Sequence, residues 1–382
     1  MKIAVNTRLL LSGKMDGIGW FANETLQRIV RSHPEHDFYF LFDRKYDPSF
    51  LFAPNVHPLV LCPQARHPVL WYLFFQFSVK RALKRHRIDL FLSPDGYIPL
   101  DTKIPTLSVI HDINFEHSND YLKPSHQRYM TYFFPQFARY STRIATVSEF
   151  SKHDISTTYN INPDKIDVVY DGAHPGYQPL DQTLRQRTRD QYTQGCPYFI
   201  FVSTIIKRKN LATLLTAFDQ YKTEHPGQTK LVVVGHRVWW QDELKKAYDN
   251  MRHKDDTVFI GRAEPEVLTK LMGSAIALVY PSLFEGFGIP IVEAFQAEIP
   301  VITSNTTSMP EVAGDAAILV EPTDANQLAQ ALHSLDTNPQ LREQLVERGR
   351  KRRTLFSWEI TADKLWQSMM KTYQSATNPS DK

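Results

Sequence analysis

The chain has 382 residues, 42% of them apolar, and a formal net charge of +3. This length supports two domains of ordinary size, and so small a net charge gives no reason to expect a nucleic acid partner. Cys62 and Cys196 form no Cys-x-x-Cys pair and no apolar run approaches the roughly 20 residues that cross a bilayer, so we expect a cytoplasmic protein rather than a disulfide-stapled or membrane-spanning one.

Short β-rich runs alternate with amphipathic helical segments along almost the whole chain. Many of the runs are unbroken apolar stretches, which is typical of strands covered on both faces. This alternation predicts an α/β protein, and two sets of strands predict two domains with doubly wound parallel sheets. The first expected set is Lys2–Asn6, Phe38–Phe42, Leu59–Cys62, Asp89–Ser93, Thr106–His111, Ile144–Ser148 and Ile166–Tyr170. The second is Tyr198–Thr204, Lys230–Gly235, Thr257–Gly261, Ala275–Pro281, Pro300–Ser304 and Ala317–Val320.

A glycine pair, Gly17 and Gly19, follows the first strand and opens a helix, where glycine lets the backbone come close to a ligand. Together with Ala22 the pair fits Gly-x-Gly-x-x-Ala, which keeps a nicotinamide-dependent oxidoreductase open as an alternative. Against that alternative, Gly17 falls about ten residues after the strand, too far for the tight turn of a dinucleotide fingerprint.

An aromatic run at Trp71–Phe75 precedes four cations, Lys80, Arg81, Lys84 and Arg85. Aromatic side chains beside a cationic cluster can rest on anionic lipid, which predicts a peripheral contact with the inner face of the membrane. The same pattern is typical of an amphipathic helix that buries its aromatic side chains in the domain core. The sequence favours this second interpretation and leaves the membrane contact as an alternative.

His111 closes the fifth expected strand. Ligand sites of doubly wound sheets lie at the carboxyl ends of strands, so this side chain can enter a cleft. A single histidine is more often a structural residue with a satisfied hydrogen bond, and spacing alone leaves both interpretations open.

Three cations, Lys207, Arg208 and Lys209, follow the strand that ends at Thr204, and Asn210 is expected to cap the next helix. Cations backed by a helix N-terminus can hold a diphosphate and the charge that develops on it as a bond breaks. A solvated basic turn would have the same spacing.

The most informative segment is a loop between a buried strand and a helix. Gly286 and Gly288 lie in this loop with Glu285, and Glu293 follows about one turn into the helix. The amides at the helix start can face an anion, and paired carboxylates suit sugar hydroxyls, which they bind by charge-assisted hydrogen bonds. The simpler alternative is a surface glutamate together with one that faces the positive end of the helix.

In this context Glu285 and Glu293 resemble the Glu-x7-Glu motif of family 4 retaining glycosyltransferases. The resemblance extends from the first glycine pair to Phe356–Trp358 and covers nearly the whole chain. It implies the GT-B fold, in which two Rossmann-like domains face each other across a cleft.

The resemblance also implies how the domains divide the work. The domain at 1–178 is expected to bind the acceptor, and the domain at 179–359 is expected to bind the nucleotide-sugar donor. A C-terminal helix at about 360–376 is expected to pack back on the first domain.

Roles for individual residues are carried over from the family's motifs. Glu285 is expected to approach the donor sugar and Glu293 to bind the ribose. The backbone of Gly286, Phe287 and Gly288 is expected to contact the donor.

Lys209 falls where the family grips the diphosphate. Many members have an arginine where Thr204 stands, so a second contact from Thr204 or Arg208 stays open. Gly17 and Gly19 are expected to lie over the donor sugar and phosphates as a loop. His111 is expected to meet the sugar, which makes the implied catalytic set Glu285, His111 and Lys209.

The implied function is transfer of a mannose-type or glucose-type hexose, with retention, from a nucleotide diphosphate sugar to a growing glycan or lipid-linked acceptor of a surface polysaccharide such as lipopolysaccharide. We expect no cofactor and no metal, because the chain contains no Asp-x-Asp clamp for a metal–nucleotide complex. The alternatives are the nicotinamide-dependent oxidoreductase and a protein that binds sugar nucleotides without catalysis.

Overall fold

The computed structural model describes residues 1–118, 122–236, 238 and 240–377. The chain forms two compact units, of which the first comprises Met1–Gly172 with Trp358–Lys382 and the second comprises Ala173–Ser357. The first long segment therefore ends at Gly172, where the sequence placed a boundary at 178.

The first unit is built on a parallel seven-stranded sheet. Its strands are β1 (Lys2–Asn6), β2 (Asp37–Phe42), β3 (Val56–Val60), β4 (Leu90–Ser93), β5 (Thr106–Val109), β6 (Arg143–Thr146) and β7 (Ile166–Val168). They are ordered β3-β2-β1-β4-β5-β6-β7, with every neighbouring pair parallel. Ile3 and Val5 pack in one hydrophobic cluster and Ala4 in another, so the sheet is covered on both faces.

Helices contribute side chains to both clusters in this unit. They are α1 (Gly17–Ser32), α2 (Pro68–Leu73), α3 (Lys80–His86), α4 (Asn114–His117), α5 (Pro124–Tyr140) and α6 (Glu149–Tyr159). A π-helical segment, Phe74–Val79, joins α2 to α3. The buried face of α1 contributes Phe21, Leu26 and Ile29 to the first cluster, as the period of its apolar residues predicts.

The third strand differs from its predicted bounds. The sequence predicts Leu59–Cys62, but β3 runs from Val56 to Val60 and pairs Pro58 with Phe40. A proline inside an apolar run argues against a strand because it has no N–H to donate. β3 lies at the edge of the sheet, where that missing donor leaves no hydrogen bond unmade.

The second unit contains a parallel six-stranded sheet, which confirms the predicted second α/β domain. Its strands are β8 (Tyr198–Val202), β9 (Lys230–Val234), β10 (Thr257–Gly261), β11 (Leu278–Tyr280), β12 (Val301–Ser304) and β13 (Ile318–Val320), in the order β10-β9-β8-β11-β12-β13. Its helices are α7 (Gln182–Thr193), α8 (Leu211–Glu224), α9 (Asp242–Asn250), α10 (Pro265–Ser274), α11 (Ile289–Gln296), α12 (Met309–Ala313), α13 (Ala325–Thr337) and α14 (Pro339–Arg352).

The final helix, α15 (Trp358–Thr377), belongs to the first unit. Its Trp358, Leu365 and Met369 are buried in the same cluster as Phe21 of α1. Within the described ranges, no helix is both long enough and apolar enough to span a bilayer.

Candidate functional site

Two loops of the second unit meet at the carboxyl edge of its sheet. One follows β8 and the other follows β11, and these strands are neighbours through the pair Ile200 and Leu278. The amide of Leu283 donates to the carbonyl oxygen of Arg208 at 2.8 Å, which ties the second loop to the first. The fold therefore brings together two motifs that are far apart along the chain.

The centre of this edge is a buried cluster of charges. The Glu285 carboxylate lies 2.9 Å from the Arg208 guanidinium and 2.6 Å from the Lys209 ammonium. The Tyr280 hydroxyl donates to the same carboxylate at 2.9 Å and accepts from Lys209 at 2.8 Å. The three charged side chains are only 8–13% exposed, so their mutual attraction is screened weakly by water.

This environment keeps Glu285 ionised. Burial alone would raise its pKa, but Arg208 and Lys209 outweigh that effect and lower the pKa to about 2. Two cations against one carboxylate leave the cluster with a net positive charge, which suits a diphosphate. A carboxylate with so low a pKa is also a poor proton acceptor at neutral pH.

Asn210 holds the two loops in a way the sequence did not predict. The expected N-cap hydrogen bond of α8 is not made, because Asn210 has left-handed backbone angles (φ 58°, ψ 37°). A capping side chain needs extended angles at that position. The Asn210 amide instead donates to the carbonyl oxygens of Pro281 and Pro322, at 3.0 and 2.7 Å.

The loop that carries Glu285 is fixed from a segment that sequence reasoning missed. The Ser308 hydroxyl lies 2.9 Å from the carbonyl oxygens of both Glu285 and Phe287, and the Glu285 amide donates to the Thr307 hydroxyl at 3.2 Å. Gly288 has φ 104°, which favours glycine. The run of Ser and Thr after β12 was the available signal, since such side chains commonly bond loop backbone.

The Phe287 ring is 3% exposed and packs edge-on against Phe356 at 5.5 Å between ring centres. The side chain therefore belongs to the core of the second unit. Only the backbone of Phe287 could then contact the donor, as the resemblance implies. Gly286 is its neighbour in the same loop.

Glu293 lies on α11, away from the cations. Burial raises its pKa to about 7, and the neighbouring Tyr177 hydroxyl opposes that rise. Tyr177, which the sequence did not single out, is 5% exposed. The two glutamates thus have pKa values on opposite sides of the ordinary one, which indicates different roles.

Thr204 is exposed just after β8. Beside it the backbone of Gly235 approaches β8 so closely that a Cβ added there would lie 1.7 Å from the Ser203 carbonyl oxygen. This approach requires glycine, and no motif singled out Gly235 in the sequence.

Two predicted donor contacts lie in the first unit, at the start of α1. Gly17 and Gly19 form the first turn of this helix rather than the loop that the resemblance implies. The Asp16 carboxylate caps the turn by accepting from the Gly19 amide at 3.1 Å. A Cβ at Gly19 would lie 2.9 Å from the Leu9 carbonyl oxygen, so packing alone accounts for that glycine.

His111 follows β5 and is half-buried. Its Nε2 lies 2.9 Å from the Pro94 carbonyl oxygen, and its ring packs edge-on against Phe21. A carbonyl only accepts, so Nε2 carries the proton. Burial lowers the pKa of His111, which favours the neutral ring with Nδ1 as an acceptor.

Among the described residues, no group of three or more His, Cys, Asp or Glu is placed to hold a metal ion.

The chain matches two family models, "Glycosyltransferase Family 4" at residues 15–177 and "Glycosyl transferases group 1" at residues 185–352. It is 30% identical over 312 residues to O-antigen chain mannosyltransferase B of Escherichia coli, covering 79% of this chain and 80% of that protein. It is 26% identical over 289 residues to O-antigen chain mannosyltransferase RfbU of Salmonella typhimurium, covering 75% and 76% of the two chains.

Among solved structures, the fold is similar to that of Anabaena Alr3699/HepE in complex with UDP and glucose. The TM-score is 0.74 at 16% identity, over 97% of this chain and 99% of that one. The two parallel-sheet units are those of the GT-B fold, and these matches lend no support to the oxidoreductase alternative. The chain belongs to the glycosyltransferases of family 4, whose second domain is that of the group 1 glycosyl transferases.

Proposed function

We propose that this glycosyltransferase transfers a hexose, with retention, from a nucleotide diphosphate sugar to a growing glycan or lipid-linked acceptor of a surface polysaccharide. The observation that carries the proposal is the buried cluster of Arg208, Lys209 and Glu285 at the carboxyl edge of the second sheet. Mannose is the sugar we favour over glucose, because the names of the relatives from Escherichia coli and Salmonella typhimurium specify it.

In the proposed reaction, Arg208 and Lys209 hold the diphosphate and take up the charge that grows on it as the sugar C1–oxygen bond breaks. The acceptor oxygen bonds to C1 from the same face, and its proton passes to a phosphate oxygen of the departing diphosphate. Glu285 positions the two cations and contacts the sugar. With a pKa of about 2 it is too weak a base to take that proton, which supports the phosphate as the base.

The remaining contacts divide between the two units. Glu293 is proposed to accept hydrogen bonds from the ribose, and the backbone from Gly286 to Gly288 to contact the donor. In the first unit, the turn at Gly17 and Gly19 is proposed to approach the donor phosphates. The Nδ1 acceptor of His111 is proposed to take a hydrogen bond from a sugar hydroxyl, on the unit that binds the acceptor.

The proposal is tested with a panel of sugar nucleotides that includes GDP-mannose and UDP-glucose. We expect one nucleotide sugar to raise the melting temperature and to be turned over in excess chelator, because Arg208 and Lys209 take the place of a metal at the diphosphate. NMR of the product should show the anomeric configuration of the donor. An inverted product would refute retention, and activity that is lost with chelator and restored by Mg²⁺ or Mn²⁺ would refute metal independence.

We also propose that the first unit rests on an anionic bilayer that carries the acceptor. The favoured expectation that the aromatic run is core holds for Phe74 and Phe75, which are fully buried. It is wrong for Tyr72 and Leu73, which are 41% and 39% exposed, and Phe77 beyond the run is 59% exposed. Tyr72 and Leu73 lie at the end of α2, and Phe77 lies in the π-helical segment that follows it. The three exposed side chains are therefore close along the chain.

Ring contacts extend this surface to a second helix. Tyr72 contacts both Phe77 and Phe133, and Phe133 contacts Tyr132, which is 65% exposed. The exposed cations of α3 follow immediately in the chain. Tyr72, Leu73, Phe77 and Tyr132 thus form an exposed apolar patch. An exposed apolar patch beside a group of cations is typical of a surface that binds anionic lipid.

Reversing the charges of Lys84 and Arg85 to glutamate is expected to weaken binding to vesicles of anionic phospholipid by at least about thirtyfold, since each cation contributes about 1 kcal/mol near such a surface and the new negative charges add repulsion. Phe77→Ser should weaken binding at high salt as well. Cosedimentation measures both effects. The matched control reverses Arg348 and Lys351, exposed cations of α14, and should bind like the parent. Equal loss in the control would mean that only net charge matters, and the proposed surface would fall.

A further inference from the structure

The second unit has a cavity of about 550 Å³ at the edge of its sheet opposite Glu285. Pro197, Ile276 and Pro300 line it, and these residues lie one or two positions before the strands β8, β11 and β12. The cavity therefore lies at the amino ends of the strands, whereas the candidate donor site lies at their carboxyl ends. Helices α7 and α14 supply its arginine side chains.

Four arginines line this cavity, but only one of them has its charge balanced by a neighbour. Arg350 pairs with Glu298, which also accepts from Arg353. The other three guanidinium groups make no ion pair with any carboxylate in the described part of the chain. We call this set, Arg185, Arg189 and Arg342, the arginine triad.

Three carboxylates also line the cavity, those of Glu298, Asp336 and Glu343, but none of them forms an ion pair with the arginine triad among the residues that the structure describes. The Asp336 carboxylate accepts from the hydroxyls of Tyr221 and Thr229 instead. Glu343 is exposed at the rim. Four arginines against three carboxylates leave the lining with one positive charge in excess, in a partly buried position that favours an anion.

The hydrogen bonds of the triad leave donors available. Arg189 donates through Nε and Nη2 to the Ser274 carbonyl oxygen, at 3.0 and 2.9 Å, and Arg342 donates through Nη1 to backbone carbonyls at the end of α13. The Nε of Arg185 is buried without a hydrogen-bond partner. Since each guanidinium has five N–H groups, most of the donors in the triad remain unused.

The three groups are close enough to repel one another. Burial lowers the pKa of Arg189, and the charges of Arg185 and Arg342 lower it further. An anion between them would relieve the repulsion and could accept from the other N–H groups of the three side chains. Guanidinium groups match the oxygen geometry of phosphate in particular, because their N–H groups form a planar fork.

We propose that this cavity is a second binding site of the protein, separate from the donor site, and that it takes a small phosphorylated molecule such as a sugar phosphate. A volume of about 550 Å³ is within the range of small-molecule sites and leaves room for a sugar beside the phosphate. The arginine triad holds the phosphate. The proline and isoleucine side chains at the amino ends of the strands form the wall for the rest of the molecule.

The test is calorimetric titration of the folded protein with inorganic phosphate and with a hexose 6-phosphate, at an ionic strength held constant with chloride. Both should bind the parent, and the sugar phosphate should bind more tightly. Arg185→Gln should weaken both about tenfold or more, because a charge-assisted bond to phosphate is lost. Arg187→Gln, which removes an exposed arginine of the same helix outside the cavity, should bind like the parent.

Two further measurements separate this site from others. Lys209→Ala should bind both probes like the parent. If Lys209→Ala lost as much affinity for the probes as Arg185→Gln, the phosphate would bind at the donor site and the proposal would be overturned. In phosphate-free buffer, Arg185→Gln should melt no lower than the parent because repulsion is relieved. Equal phosphate affinity in parent, Arg185→Gln and Arg187→Gln would overturn the proposal outright.

Discussion

Replacing Glu285 by glutamine is expected to lower kcat on the order of 100-fold while strengthening the binding of free nucleoside diphosphate. The Glu285 carboxylate forms ion pairs with the two cations that are proposed to bind the diphosphate. Removing its charge leaves Arg208 and Lys209 with a greater net attraction for the phosphates. The proposed contact with the sugar is lost, so turnover falls even though the nucleotide binds.

Calorimetry for the diphosphate and initial rates for transfer measure the two effects separately. Glu266→Gln, a change at an exposed glutamate of α10, provides the matched control and should alter neither. Glu285→Gln should also melt below the parent, since two largely buried cations lose their counter-charge. If the variant turned over normally, Glu285 would have no part in the chemistry, although the family assignment would stand.

Replacing Lys209 by alanine is expected to weaken nucleoside diphosphate binding about 10- to 100-fold and to leave nucleoside binding unchanged, because the phosphates are the only part of the nucleotide that the ammonium is proposed to contact. Turnover should fall as well, since the charge on the leaving diphosphate loses one of its two partners. Arg208 remains beside Glu285 in this variant, so the loop keeps one of its ion pairs.

Titration with the nucleoside and with its diphosphate gives the required comparison. Lys270→Ala, at an exposed lysine of α10, removes the same charge away from the site and should behave like the parent. Parallel losses for nucleoside and diphosphate would show that the substitution had disturbed the whole site. Unchanged diphosphate affinity would remove Lys209 from the proposed mechanism.

The strands were predictable because parallel sheets covered on both faces leave continuous apolar runs in the sequence. Each of the expected runs overlaps a strand of the structure. The predicted bounds of β3 were wrong because the rule against proline in strands does not hold at the edge of a sheet, and the sequence does not reveal which strand is at the edge. Pro58 is compatible with β3 only because that strand lies at an edge, and no periodicity in the chain reports which strand that is.

The candidate site was predictable in its residues but not in its geometry. Glu285 and Lys209 each stand in a motif of their own, yet their contact depends on β8 lying beside β11. In this sheet β8, β9 and β10 lie on one side of the contact between β8 and β11, and β11, β12 and β13 lie on the other. Spacing along the chain does not encode that order. Tyr177 lies in a segment without a motif, so only the folded structure shows it, whereas the run of Ser and Thr after β12 offered a signal for Ser308.

The assignment of α15 to the first unit has a consequence for how the protein is made. The second unit is one continuous segment, whereas the first needs residues from both ends of the chain. During translation the second unit can complete its core as soon as Ser357 has left the ribosome. The cluster around Phe21 must wait for Leu365 and Met369, so the half of the protein that is synthesised first is the half that finishes folding last.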